Sequence, residues 1–233
     1  MKPGEGLLFI HPALGRLPYR WISHGRDAEN KPLPLVLFLH GAGERGSDNH
    51  RQLSHFIPEL LEKAEGQGLA FHLLAPQCPE NAQWVETDWS APGHKMPNQP
   101  SRALALVMAL LETWRQRPDV NPARVVLAGI SMGGYGVWDL AARRREWFSA
   151  AIPICGGGDP SHAETLSSLP LWAFHGDRDE EVPVHRTLEM IQAIRARGGN
   201  PRMTIFPGGG HDAWNPALRT PGLIAWMLES TKG

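Results

Sequence analysis

Short apolar runs recur along the chain, each closed by glycine or polar residues and separated from the next by segments with helical spacing. Leu35-Val36-Leu37-Phe38-Leu39 is continuous, the pattern of a central parallel strand covered on both faces. Val125-Val126-Leu127-Ala128 runs into Gly129-Ile130-Ser131-Met132-Gly133-Gly134, and helical spacing follows over 135–145, so this stretch predicts a buried strand, a tight turn and a helix. Residues 71–75, 148–155, 171–174 and 203–206 are further short strands, and the loose alternation over 18–24, ending in a turn near Gly25-Arg26-Asp27, predicts a first edge hairpin. Helices are expected over 52–65, where Pro58 implies a kink or a late start, over 101–117 with Ser101 as cap and Pro118 as stop, and over 183–197 and 216–228. A short one is expected over 162–168.

Strands alternating with helices predict an α/β fold: a doubly wound, mostly parallel sheet flanked by helices on both faces. At 233 residues the chain is expected to form a single domain, 1–233. Residues 76–100 break the alternation, with five prolines and two tryptophans. Irregular segments of that length inside compact domains are usually functional, which places this one over a ligand site with Trp84 and Trp89 as pocket walls; the alternative is that they pack as a lid on the core.

Charge narrows the function classes. The formal net charge is −1 and no long run of like charge occurs, so neither nucleic acid nor a membrane surface is an expected partner. Arg143-Arg144-Arg145 closes a predicted helix, where cations complement the negative terminus. The apolar run over 7–10 is too short for a secretory core, and no run approaches a membrane span, which gives a cytoplasmic expectation. The two cysteines, Cys78 and Cys155, have no metal-ligand spacing and are expected to be reduced and buried; no metal or organic cofactor is expected.

The candidate chemistry sits where strands end. Ser131 occupies the turn between a strand and a helix, flanked by glycines that permit close approach, so its hydroxyl is exposed beside the positive end of a helix. A serine hydroxyl is a poor nucleophile unless a base within hydrogen-bond reach takes its proton and a carboxylate orients that base. After two later strands the chain reads His175-Gly176-Asp177-Arg178-Asp179 and Gly208-Gly209-Gly210-His211, an acid and then a histidine. His211 is the expected base. The glycine-rich His40-Gly41-Ala42-Gly43-Glu44-Arg45-Gly46 loop offers backbone N–H groups to an oxyanion.

Together, Gly129-Ile130-Ser131-Met132-Gly133-Gly134, the His40-Gly41 loop, His175-Gly176-x-x-Asp179-x-x-Val182-Pro183 and Gly210-His211 resemble the α/β-hydrolase superfamily. The His40 to Gly46 loop, Pro76-Gln77-Cys78-Pro79 and 154–160 resemble more closely its carboxylesterase/phospholipase-like or "predicted peptidase" branch, related to dienelactone hydrolases and polyhydroxybutyrate-depolymerase-like esterases. The resemblance implies the α/β-hydrolase fold, Ser131 as nucleophile, His211 as base, and Asp179 rather than Asp177 as the acid. It also implies an oxyanion hole from the backbone N–H groups of Ala42 and Met132. Dienelactone hydrolases differ in using a cysteine nucleophile. Only about sixteen residues separate Ile154 from Leu171, so no cap domain fits there. An open cleft follows, with Trp214 as a third wall or as packing beneath the His211 loop. The expected activity is hydrolysis of small to medium acyl esters, aromatic ones included, through an acyl-enzyme; a small-molecule ester is the expected partner. A serine peptidase and a non-catalytic binding protein on the same scaffold are the alternatives.

Overall fold

The computed structural model describes residues 4–230; Met1 to Pro3 and the last three residues, which the single-domain expectation includes, lie outside the described residues. One eight-stranded sheet organises the chain, in the order β1-β2-β4-β3-β5-β6-β7-β8. Its strands are β1 Glu5–His11, β2 Gly15–His24, β3 Leu33–Leu39, β4 Phe71–Pro76, β5 Val120–Ile130, β6 Ala150–Ile154, β7 Trp172–Gly176 and β8 Arg202–Phe206. From β4 to β8 every neighbour pair is parallel, while β2 joins antiparallel to both β1 and β4.

Alternation within the central strands divides the core. Leu35, Leu37 and Leu39 of β3 face α2 (Arg102–Trp114), α3 (Met132–Arg143) and α5 (His185–Ala196). Val36 and Phe38 face α1 (Ile57–Gly66), α6 (Trp214–Leu218) and α7 (Leu223–Glu229). Each face of the sheet is thus buried under helices, as near-continuous apolar strands require. This is the α/β-hydrolase fold. Between β6 and β7 the chain makes only a 3-10 turn, Pro160–His162, and the single-turn α4, Ala163–Leu166. No described helix is long and apolar enough to cross a membrane.

Three elements differ from their expected form. The edge hairpin is real, but its turn lies between His11 and Gly15: Leu7-Leu8-Phe9-Ile10 lies within its first strand, an edge on which Leu8 and Ile10 are 49% and 64% exposed, so the apolar run hides the alternation. The helix of 52–65 starts late, at Ile57 with Pro58 in its first turn, behind a separate 3-10 turn Arg51–Leu53. The helix expected over 216–228 is two helices, because Gly222 at φ +79° breaks the path after Pro221.

Candidate active site

Ser131 stands between β5 and α3 at φ +52°, ψ −119°, a strained conformation for a residue with a side chain. The turn is held by its N–H, which donates to the Ile154 carbonyl at 2.8 Å, and by the Tyr135 N–H, which donates back to the Ser131 carbonyl at 3.2 Å. Its tightness depends on glycine: a methyl group on Gly133 would collide with the Leu39 carbonyl, and one on Gly129 with the Gly133 carbonyl. Strand, turn and helix therefore pack without room for larger residues, and the hydroxyl is left facing a cleft.

Two loops bring partners to it. His211, after β8, lies with Nε2 2.8 Å from Ser131 Oγ and donates from Nδ1 to Asp179 Oδ2 at 2.8 Å. That donation leaves the Nε2 lone pair free to accept the serine proton. Asp179 Oδ1 accepts the N–H groups of Glu181 and Val182, both at 2.9 Å, while Oδ2 also faces His175 Nε2 at 3.2 Å. Burial pushes the Asp179 carboxyl up, but the hydrogen bonds from His175, His211 and the Val182 N–H outweigh it and hold the group well below the usual carboxylate range. Asp179 is a committed anion. Asp177, exposed, instead accepts the Gly208 N–H at 2.6 Å.

Ser131 and His211 open onto a cleft of about 440 Å³, whose walls include Ala42, Glu44, His55, Trp89, Val182 and Trp214. That is room for a small ligand. Ala42 begins the 3-10 turn Ala42–Glu44 and Met132 begins α3, so the N–H of each has no acceptor within its own helix. The His40 ring fixes the Ala42 loop: Nδ1 donates to the Gly41 carbonyl at 2.6 Å and Nε2 accepts the Cys78 N–H at 2.9 Å. Trp214 packs edge-on to the His211 ring, with centroids 5.7 Å apart.

Trp84 is not a wall of this cleft. It is fully buried, and its Nε1–H donates to the His40 carbonyl at 3.0 Å, so it supports the glycine-rich loop from beneath. Of the three tryptophans, Trp89 and Trp214 reach the cleft. Sequence reasoning assigned no role to Glu44, His55 or His175. Glu44 and His175 lie within the motifs already quoted, and position next to a glycine was the only signal. Glu44 is buried with Oε1 3.6 Å from His55 Nε2, and Oε2 has no hydrogen-bond partner.

Among the described residues one trio has metal-ligating chemistry: ligand atoms of Cys155, His175 and Asp179 lie within 4.8 Å of one another. Their capacity is already used. The Cys155 thiol donates to the His211 carbonyl at 3.0 Å, the two other residues bond as described, and burial, then the Asp179 charge, push the thiol up, away from the thiolate a metal needs.

The family model described as "Dienelactone hydrolase family" matches residues 55–219. "Putative esterase NocK" of Nocardia uniformis subsp. tsuyamanensis is 26% identical over 166 residues, which are 69% of this chain and 44% of that protein. A solved thermostable esterase superposes with a TM-score of 0.87 at 31% identity, covering 98% of this chain and 63% of the other. A ferulic acid esterase superposes at 0.70 with 16% identity, covering 96% and 98%, a likeness of fold alone. The chain thus spans less than half of that curated relative.

Proposed function

The chain belongs to the dienelactone hydrolase family, and from that premise we propose that it is a serine carboxylic-ester hydrolase, one domain acting on small to medium acyl esters. Ser131 is the nucleophile, His211 the general base and Asp179 the group that orients it. His211 takes the serine proton as Oγ attacks the ester carbonyl. The Ala42 and Met132 N–H groups receive the resulting oxyanion, each contributing about 2.7–4 kcal/mol to the transition state. Collapse expels the alcohol, which takes its proton from His211, and leaves an acyl group on Ser131. Water, deprotonated by the same imidazole, then releases the acid.

The observation that supports this reading above all is the unbroken chain from Asp179 through His211 to Ser131, with both contacts at 2.8 Å, ending in an open cleft. Trp89 and Trp214 on the walls extend the reading to aromatic esters, since flat indole surfaces suit a flat acyl or alcohol group. Two free, buried thiols fit a reducing compartment, and we place the protein in the cytoplasm on that ground. With a formal charge of −1, the expected partner is a small ester and not nucleic acid or a membrane surface.

Hydrolysis of p-nitrophenyl acetate and butyrate tests the proposal, beside an aminoacyl p-nitroanilide as the peptidase control. Turnover of the esters, labelling of Ser131 by a fluorophosphonate and loss of both in Ser131→Ala are expected. An unlabelled wild type, or full turnover by the Ser131→Ala protein, refutes it.

A further inference from the structure

His175 lies wholly inside the protein, behind the carboxylate that faces His211. Its Nε2 meets two acceptors, the Val182 carbonyl at 2.9 Å and Asp179 Oδ2 at 3.2 Å, so this nitrogen carries a proton. Nδ1 lies 2.8 Å from Thr187 Oγ1 on α5, and the Thr187 hydroxyl reaches the Gly156 carbonyl at 3.0 Å. The ring is therefore held on both nitrogens by groups from two other segments. The bond to Val182 also closes the loop whose N–H groups grip Asp179 Oδ1. Asp179 can rotate only by breaking several of these contacts.

We infer that His175, backed by Thr187, is a positioning residue for the proposed reaction: its Nε2–H fixes the Asp179 carboxylate so that Oδ2 points at His211. This rests on the ester-hydrolase reading. Catalysis needs Asp179 at one angle, because the imidazolium that forms when His211 takes the Ser131 proton is stabilised best by a carboxylate in line with Nδ1. Backbone donors hold one oxygen; His175 and His211 share the other. The other titratable groups facing Asp179 are Cys155, from the loop after β6, and Tyr135 on α3; burial pushes both up, so they stay neutral where the enzyme works. The Cys155 thiol gives its proton to the His211 carbonyl, so the nitrogen donors that meet Oδ2 are those of His175 and His211.

The test compares His175→Leu, which removes the donor, His175→Gln, which retains an N–H at similar reach, and Thr187→Val, which loosens the ring without touching Asp179. For His175→Leu, kcat on p-nitrophenyl acetate falls about 10- to 100-fold, the scale on which groups that orient functional side chains act, with KM nearly unchanged. Its acid limb moves to lower pH, because an Asp179 no longer aimed at Nδ1 holds the His211 imidazolium less firmly. Thr187→Val gives a smaller loss in the same direction, and His175→Gln recovers most of kcat and the wild-type limb. An unmoved or upward-moving acid limb in His175→Leu overturns the proposal, as does an equal loss in the Gln and Leu variants. If the Leu variant does not fold, the Gln and Thr187→Val proteins decide: a wild-type profile in Thr187→Val overturns it. The downfield His211 Nδ1–H proton resonance separates this inference from the activity. A wild type that hydrolyses no ester ends the ester-hydrolase reading, while a resonance weakened in Thr187→Val and kept in His175→Gln still reports the restraint.

Discussion

The Asp177 carboxylate accepts the Gly208 N–H at 2.6 Å and so ties the turn after β7 to the turn after β8. Two residues on, Asp179 points the opposite way, into the protein, and meets His211. The two acids are separated by a single residue and differ in what they reach. Asp179→Asn is expected to cost about 10⁴-fold in kcat, because an amide N–H facing Nδ1 selects the wrong imidazole tautomer. Asp177→Asn keeps an oxygen for Gly208 and is expected to stay within a few-fold of wild type. Steady-state rates with one ester check both, and comparable losses would mean the acid is not Asp179.

Acid stability follows from His40. Burial holds its pKa down to about 4, and the Cys78 N–H pointing at Nε2 leaves no place there for a second proton. In the unfolded chain the same ring titrates near 6.5. The unfolded state therefore binds the proton first as pH falls, and stability present above about 6.5 is lost down to about 4, at up to about 1.4 kcal/mol per pH unit for this residue. His94, half-buried beside Arg186 and also held down to about 4, adds to the same window with a smaller share. Urea unfolding at a series of pH values is expected to show the midpoint falling between pH 6.5 and 4, and less steeply in His94→Asn. A flat midpoint across that range would contradict it.

The tryptophans separate stability from recognition. Trp84 fills the space beneath the His40 loop and touches no part of the cleft, so Trp84→Ala is expected to cost about 3–5 kcal/mol of stability and to lower activity by loosening that loop. Trp89→Ala and Trp214→Ala remove partly exposed walls. They are expected to raise KM for aromatic esters more than for acetyl esters, with a small change in melting temperature. Melting curves and a two-ester comparison check the division.

Ser131 and His211 were legible as candidates because one closes a strand and the other follows a glycine run just beyond one, and parallel strands deliver such residues to the same rim; the choice of Asp179 over Asp177 came from the family resemblance and not from position. Depth was not legible. Trp84 and Trp89 lie five residues apart in one proline-rich segment, and nothing local to them distinguishes the one that points down at His40 from the one that turns to the cleft. His175 was visible as a letter of a motif, but its role depends on Thr187 and Val182 coming around it, a contact made by the reversal of chain between β7 and α5. The first strand was obscured for a different reason: on a sheet edge, exposed Leu8 and Ile10 stand where an alternating pattern would have polar residues.

Glycine at 133 is expected to be indispensable where glycine at 210 is not. A methyl group on Gly133 would meet the carbonyl oxygens of Leu39 and His40, the end of β3 and the start of the Ala42 loop, so it must displace the strand or the helix. Backbone cannot yield as a side-chain tip does, and overpacking costs about 1–3 kcal/mol even where side chains can adjust. Gly133→Ala is therefore expected to lower the melting temperature sharply and to cost more in activity than in stability, since the movement passes directly to Ser131 and Ala42. Gly210 precedes His211, yet a methyl group there meets nothing within 4 Å. Gly210→Ala is expected to change stability by no more than about 0.5 kcal/mol. Thermal unfolding and ester turnover of the two proteins check the contrast, and a Gly133→Ala enzyme with wild-type values would show that the turn has slack this packing does not contain.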